Sequence, residues 1–332
     1  MNIPPPTRLQ MLRVVASALA LLAAIPASGS DQACNAVLPP ITTGYGADGP
    51  YAVDQQSVDN PGFHRKAVQL FLPRGAAGAR PVLFFAHGYG PNLVEGYNDL
   101  IHHLVSRGNV LVYSTYPALF ASQDERYDAL WKGFIAATQR YGDRMDLSRV
   151  GFVGHSFGGG VTPAMAWRGL VGQGWGHSGA LMAMLAPWYS YQLSDAQLKS
   201  LPATVLQLFE VYADDTVNDP RMAIDLYRHS GATARYFFEI LPVADGGCRL
   251  KPDHSTPGRN DSLRLKQYAV FRPLDALIDA AFGDHDAGRA ALAGLGKPGK
   301  PPQVVHAETA PTPGNPESHY RFPWSDPRNP RR

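Results

Sequence analysis

Residues 149–160 read RVGFVGHSFGGG, an apolar run that breaks into glycine around a single serine. The apolar residues at 150–153 favour a short buried strand. Residues 154–158 (GHSFG) then match the pattern G-x-S-x-G, in which a strand turns abruptly into a helix. Such a turn strains the central serine and requires that the residues two positions before and after it lack side chains. The stretch therefore predicts that the Ser156 hydroxyl stands at the end of a sheet, above a helix N-terminus.

A serine hydroxyl becomes a good nucleophile only when a base takes its proton and a third group orients that base. In chains with this turn the order is serine, then an acid, then histidine. A predicted strand at 204–211 is followed by Asp214 and Asp215, at the carboxyl end of the strand. We favour Asp214, because its spacing to Val217 lets an aliphatic side chain pack below the loop. Asp215 is the alternative acid, and both aspartates can also cap the helix expected from residue 220.

The predicted base is His254, which lies in a polar loop after the last predicted strand, 235–241. The oxyanion of a tetrahedral intermediate needs two backbone N–H donors. One is the N–H of Phe157, directly after the serine. We expect the other to be the N–H of Tyr89, in the glycine-containing loop HGYG (87–90) that follows a predicted strand at 81–86.

The sequence contains no pattern that indicates a metal or cofactor. His102 and His103 are adjacent, so a helix would direct them to different sides, and no cysteine and histidine spacing suggests zinc. Gly88 and Gly90 are not followed by the third glycine of a dinucleotide-binding loop, since Leu93 occupies that position. We therefore expect chemistry that uses side chains alone.

The whole chain of 332 residues has a globular composition, with 45% hydrophobic and 17% charged residues. Its formal net charge of +2 gives no indication of a nucleic-acid partner and favours a small or uncharged one. Taken with the predicted serine nucleophile, the expected partner is a small-molecule or lipid-like ester. Near-continuous apolar strands alternate with helical stretches, which predicts an α/β fold with a mostly parallel central sheet and helices on both faces. The sequence does not indicate the oligomeric state.

The two ends of the chain have a different composition from its centre. Residues 1–30 combine arginines, an apolar run at 14–24 and small residues, which is typical of a cleaved secretory signal; the run is too short to span a bilayer, which takes about 20 residues. We expect a secreted or periplasmic protein without a stable membrane anchor. In an oxidising compartment Cys34 and Cys248 are expected to form one disulfide, and the alternative is two separate thiols. The catalytic domain is predicted at 31–290, followed by a disordered Pro/Gly-rich tail at 291–332.

The chain also resembles a known family. The segments that carry the likeness are GPYAV at 49–53, HGYG at 87–90, the GHSFGGG turn, LAPW at 185–188, YADDTV at 212–217, and His254 followed by Ser255. Over residues 49–282 they look like the α/β-hydrolase superfamily. Within it they are most similar to the secreted branch of cutinase-like polyester hydrolases, chlorophyllase and platelet-activating-factor acetylhydrolase. The resemblance implies an α/β-hydrolase fold, a Ser156, Asp214 and His254 triad, no large lid, and Trp188 and Tyr89 as aromatic walls of the acyl site.

These observations favour a secreted, metal-independent serine carboxylesterase that acts on neutral or apolar esters. One alternative uses the same triad as a peptidase, amidase or acyltransferase. The alternative from another class is a non-catalytic protein of the same fold that binds an apolar ligand or a protein partner. The presence of serine, acid and histidine in the expected order favours the enzyme, since a binding protein has no need of all three.

Overall fold

The computed structural model describes residues 29–90, 94–259, 262–297, 303–329 and 331. Residues 1–28 of the predicted signal peptide lie outside the described residues. Within the described part of the chain, no helix is both long and apolar enough to cross a membrane.

A large sheet forms the centre of the described molecule. Nine strands form this sheet in the described chain: β1 (Val53–Asp59), β2 (Ala67–Pro73), β3 (Arg80–Ala86), β4 (Val110–Ser114), β5 (Met145–His155), β6 (Gly179–Leu185), β7 (Leu206–Tyr212), β8 (Arg235–Ile240) and β11 (Val305–Glu308). Strands β9 (Val243–Asp245) and β10 (Cys248–Leu250) form a separate hairpin. The sheet has the order β1-β2-β4-β3-β5-β6-β7-β8-β11. The strands from β4 to β8 in this order are parallel to their neighbours, whereas β1, β2 and β11 pair antiparallel at the two edges.

Helices cover both faces of this sheet. The α-helices are α1 (Gly29–Val37), α2 (Asn98–Ser106), α3 (Gln123–Tyr141), α4 (Phe157–Ala166), α5 (Asp195–Lys199), α6 (Arg221–His229), α7 (Leu263–Lys266), α8 (Arg272–Phe282) and α9 (His285–Leu295). Alternate residues of β3 enter different cores: Phe84 packs with residues of α3, α4 and α6, and Phe85 packs with residues of α2 and α8. Successive side chains of a strand point to opposite faces of the sheet, so both faces of β3 are buried. The predicted α/β architecture with a mostly parallel sheet is confirmed.

A disulfide ties the start of the described chain to the β9–β10 hairpin. Cys34 in α1 is bonded to Cys248 at the start of β10, across 214 residues of sequence, and both residues are buried. The structure therefore contains the pairing that the sequence predicts. The hairpin that the disulfide holds leads directly into the loop that carries His254.

The C-terminal region differs from the predicted disordered tail. The predicted boundary at residue 290 falls inside α9, and β11 pairs antiparallel with β8. A sheet edge presents unpaired backbone groups, and β11 bonds to them while it buries Val304 and Val305. Further along, Phe322 and Trp324 pack against the core. Composition alone suggested disorder here because a short edge strand leaves almost no periodic apolar pattern.

Candidate active site

Ser156 occupies the sharp turn between β5 and α4. Its backbone has φ 56° and ψ −119°, a strained conformation for a residue with a side chain. The flanking glycines are required by close packing. A Cβ atom on Gly154 would lie 2.2 Å from the Gly158 carbonyl oxygen, and one on Gly158 would lie 1.9 Å from the carbonyl oxygen of Ala86 in β3. The predicted strand–turn–helix geometry around Ser156 is thus present.

A chain of hydrogen bonds connects Ser156 to a histidine and a carboxylate. The Oγ of Ser156 lies 2.9 Å from Nε2 of His254, and Nδ1 of the same ring lies 2.8 Å from Oδ2 of Asp215. A carboxylate can only accept, so Nδ1 carries the proton and Nε2 accepts from the serine hydroxyl. The three groups come from the ends of β5 and β7 and from the loop after β10. They can together activate the hydroxyl as a nucleophile.

The carboxylate that reaches His254 belongs to Asp215, the alternative acid, and not to Asp214, which the sequence favoured. Strand β7 ends at Tyr212, and the Asp215 N–H donates to the Tyr212 carbonyl (3.0 Å) in a tight turn. This turn directs the second aspartate toward His254. Its other oxygen, Oδ1, accepts from the backbone N–H groups of Val217 (2.6 Å) and Asn218 (3.1 Å).

Asp214 has a different environment from its neighbour. Its backbone N–H donates to the Pro252 carbonyl (3.1 Å) and its Oδ2 has no hydrogen-bond partner among the described residues. The spacing to Val217 favoured Asp214 in the sequence. In the structure, the backbone N–H of Val217 instead donates to Asp215 and orients it. The signal that distinguishes the two aspartates is therefore the turn geometry, which the sequence did not reveal.

The loop after β3 orients the backbone at Tyr89. The Gly88 carbonyl accepts from the Tyr116 hydroxyl (2.9 Å) and from Nδ1–H of His87 (2.7 Å). In a trans peptide the N–H of the next residue points away from that carbonyl. The two hydrogen bonds to the Gly88 oxygen therefore fix the orientation of this peptide group, with the Tyr89 N–H pointing in the opposite direction. The Tyr89 side chain lies edge-on to the ring of Phe157, with ring centroids 6.2 Å apart, and both residues line one cavity with Ser156.

Tyr97 and His155 form a second network that the sequence analysis did not identify. The Gly88 N–H donates to the Tyr97 hydroxyl (2.9 Å), which donates to Nδ1 of His155 (2.8 Å). Nε2–H of His155 then donates to the His254 carbonyl (2.8 Å). This series connects the loop of Tyr89 to the loop of His254 by way of His155, the residue before Ser156. The pattern G-x-S-x-G leaves the position of His155 unspecified, and no sequence signal links it to Tyr97.

Burial keeps two histidines of the site neutral. Burial, followed by the nearby His254, lowers the pKa of His155 well below its usual value. Burial also lowers the pKa of His87 to about 4, although its bond to the Gly88 carbonyl acts in the opposite direction. His87 is stacked between the rings of Tyr113 and Tyr116. The two imidazoles therefore act as fixed hydrogen-bonding groups across the neutral pH range.

Ser156 and His254 open into two adjoining cavities. One, of about 190 Å³, lies beside Gly88, Tyr97 and Arg259. The other, of about 510 Å³, is lined by Trp188 and Phe157 as well as Tyr89, and we call it the main cleft. Trp188 lies next to Ser156, since the backbone N–H of Trp188 donates to the Ser156 carbonyl (2.8 Å). Tyr89 and Trp188, the two residues that the resemblance implies as aromatic walls, both line this cleft.

Among the residues that the structure describes, no group of three or more histidine, cysteine, aspartate or glutamate side chains is arranged to hold a metal ion. Compared with known proteins, the chain matches no family model and no curated protein sequence. The chemistry of the site therefore has to be inferred from its geometry.

Proposed function

We propose that this protein is a serine hydrolase of the α/β-hydrolase fold that cleaves carboxylic esters through an acyl-enzyme. The observation that carries the proposal is the continuous hydrogen-bonded series from Asp215 through His254 to Ser156. The strained backbone of Ser156 supports it, because such strain is retained where a function requires it.

In the proposed reaction, the Ser156 oxygen attacks the ester carbonyl while Nε2 of His254 takes the hydroxyl proton. The imidazolium returns that proton to the leaving alcohol when the tetrahedral intermediate collapses to the acyl-enzyme. Water then attacks the acyl-enzyme with the same histidine as base. Asp215 holds the imidazole in the tautomer that exposes Nε2 as acceptor and stabilises its positive charge.

The oxyanion is assigned to the backbone N–H groups of Tyr89 and Phe157. Phe157 is the first residue of α4, where the helix dipole favours negative charge. The fixed Gly88 carbonyl supports the assignment of Tyr89, because it limits the directions that the next N–H can take. Donors that are oriented before the reaction need no rearrangement as charge develops.

Export from the cytoplasm is part of the proposal. A buried disulfide is typical of oxidising compartments, which agrees with the predicted signal peptide and favours a secreted or periplasmic location. Peptidase, amidase and acyltransferase activities use the same triad, so a panel of ester, amide and alcohol-acceptor substrates separates them from ester hydrolysis.

Labelling with a fluorophosphonate, followed by mass spectrometry of the modified peptide, tests the assignment. We expect stoichiometric modification of Ser156 in the wild-type protein and none in Ser156→Ala, whose kcat for a chromogenic ester should fall by about 10⁴ to 10⁶. Ser178→Ala is the matched control, since Ser178 is exposed and lies at the opposite end of the sheet, just before β6. A folded wild-type protein that takes up no label would refute the proposal.

A further inference from the structure

The main cleft is cationic although the chain as a whole is nearly neutral. Three arginines line it, Arg126, Arg321 and Arg328, and its described lining includes no aspartate or glutamate. The carboxylate of Asp215 is engaged by His254 and two backbone N–H groups. A ligand in this cleft therefore experiences a positive potential from several directions.

Arg126 is a buried arginine that donates hydrogen bonds to neutral groups. It is 9% exposed, and its guanidinium donates to the carbonyls of Pro117 (3.1 Å) and Ala118 (3.1 Å) and to the Gln123 side chain (3.3 Å). It also lies 5.4 Å from the centre of the Tyr89 ring. None of the ion pairs among the described residues includes Arg126. Burying an unpaired charge is costly, so a counter-charge from a ligand stabilises such a group strongly.

The other two arginines come from the C-terminal segment and differ in their pairing. Arg328 is held by the carboxylate of Asp326, with its Nε 2.8 Å from Oδ1. Arg321 is exposed at the cleft and takes part in no ion pair of the described residues; its guanidinium lies 5.2 Å from the centre of the Phe322 ring. Arg321 and Arg126 are therefore the two cations of the main cleft that are available to a ligand.

Backbone contacts fix this segment against the loop that follows the catalytic acid. The Arg321 N–H donates to the Thr216 carbonyl (2.7 Å) and the Phe322 N–H to the Val217 carbonyl (3.1 Å). The Trp324 N–H donates to Asp219 Oδ2 (3.0 Å). The position of Arg321 is thus determined by the same loop that positions Asp215, and the C-terminal segment is a wall of the cleft.

The remaining walls of the main cleft are largely aromatic. Trp188 and Phe322 meet edge to face, with ring centroids 5.0 Å apart, and Tyr191 also lines the cleft. The guanidinium of Arg328 lies over both rings, 5.1 Å and 4.9 Å from their centres. Aromatic rings stack favourably on a planar group, while a guanidinium binds a carboxylate through two parallel N–H bonds.

We propose that the main cleft selects esters that carry a carboxylate elsewhere in the molecule, on a flat or aromatic body, with Arg126 and Arg321 as its anion-binding residues. This inference rests on the proposed ester hydrolysis and replaces the expectation, drawn from net charge, of neutral or apolar substrates. Arginine suits the role better than lysine because its rigid fork matches the two carboxylate oxygens.

Two ligands of nearly the same shape separate the effect of a carboxylate charge on binding from the effect of shape. Ethyl 4-carboxybenzoate and ethyl 4-carbamoylbenzoate have nearly the same shape, and only the first is an anion at neutral pH. Calorimetry with the Ser156→Ala protein measures their binding without turnover. We expect the carboxylate to bind at least about tenfold more tightly than the amide at low salt, and the preference to shrink as ionic strength rises.

Arginine variants test which residues supply the preference. In the Ser156→Ala background, Arg321→Gln should reduce the ratio of the two dissociation constants severalfold, and adding Arg126→Gln should bring it close to one. Arg321 is exposed, so its replacement leaves the fold intact even if the buried Arg126 variant proves unstable. Arg74→Gln, in which an exposed arginine paired with Asp54 at the far edge of the sheet is changed, should leave the ratio as it is.

Equal or weaker binding of the carboxylate, or a preference that survives Arg321→Gln unchanged, overturns the inference. Labelling of Ser156 decides the proposed function separately. A protein that is labelled but binds both ligands equally keeps the ester-hydrolase proposal and loses the substrate class. A protein that prefers the carboxylate without being labelled is an anion-binding protein and loses the hydrolase proposal.

Discussion

Asp214 and Asp215 are neighbours after the end of β7, and only the side chain of Asp215 bonds to His254. Asp215 bonds to His254 and to two backbone N–H groups, whereas Asp214 makes none of these side-chain contacts. The two side chains have the same chemistry and differ only in the direction that the turn gives them. Their variants therefore form a matched pair.

Changing each aspartate to asparagine should separate their roles. Asp215→Asn removes the charge that fixes the His254 tautomer, and we expect kcat to fall by about 10³ to 10⁴. Asp214→Asn should change kcat by less than about threefold, because its side chain does not reach the imidazole. Steady-state kinetics on one chromogenic ester measures both variants. Equal losses in the two variants would contradict the assignment of Asp215.

The strand–turn–helix around Ser156 depends on close contacts between elements. Gly158 allows α4 to approach the end of β3, and any side chain there meets backbone rather than a movable group. The sequence pattern thus reports a packing requirement between two elements that are far apart in the chain.

Gly158→Ala should prevent this approach. Its Cβ would lie 1.9 Å from the Ala86 carbonyl oxygen, so we expect the free energy of unfolding to fall by more than about 3 kcal/mol, or no soluble protein. Gly142→Ala is the control, since that residue has φ −60° and no atom within 4 Å of an added Cβ. It should be neutral or stabilise by up to about 1 kcal/mol. Urea denaturation measures both; a stable Gly158→Ala protein would show that the contact can relax.

The disulfide is the covalent link between α1 and the hairpin that precedes His254. Replacing Cys34 and Cys248 by alanine frees a loop of 214 residues in the unfolded chain, and we expect a loss of about 2–5 kcal/mol. Reduction of the wild-type protein should produce the same loss, while the variant should not respond to reductant. Unchanged urea midpoints in both experiments would show that packing alone holds α1.

The stability of the whole molecule should depend on pH through a carboxyl group in β7. Glu210 is fully buried; its Oε1 accepts from the Tyr212 hydroxyl and its Oε2 has no partner among the described residues. Burial raises the pKa of Glu210 to about 8 from 4.5, although the hydrogen bond from Tyr212 lowers it. The folded protein therefore keeps a proton that the unfolded chain releases.

Between pH 4.5 and pH 8 unfolding releases this proton, so stability should fall as pH rises, by at most about 1.4 kcal/mol per unit from this group. The neutral side chain of Glu210→Gln imitates the protonated form and should remove that part of the dependence. Urea unfolding at pH 5 and pH 8 compares the two proteins. Other groups titrate in both proteins, so only the difference between their slopes of unfolding free energy against pH tests Glu210. Identical slopes would contradict a raised pKa of Glu210.

The distribution of charge is also a property of the whole molecule. Arg126 lies in α3, while Arg321 and Arg328 lie about 200 residues later, in a segment whose composition suggested disorder. The fold brings all three to one cleft. A net charge of +2 therefore says little about the potential that a ligand meets.

Local patterns in the sequence predicted the main elements and most residues of the candidate site. Short apolar runs predicted β3, β5, β7 and β8, because a strand with both faces buried needs apolar side chains at every position. The glycines around Ser156 predicted the turn, since only a residue without Cβ fits there, and the order of the chain identified His254. The two cysteines predicted their pairing because an even pair in an exported chain is typical of a disulfide.

Only the tertiary structure decided which aspartate bonds to His254, where the C-terminal region packs, and how Tyr97 and His155 join the two loops. Each of these depends on the direction of a turn or on contacts between residues far apart in the chain, which leave no local pattern. Asp214 and Asp215 are equivalent in composition and differ in backbone geometry. The strand β11 forms because β8 offers it an open edge, and the cationic cleft forms because that strand's continuation packs beside Asp215.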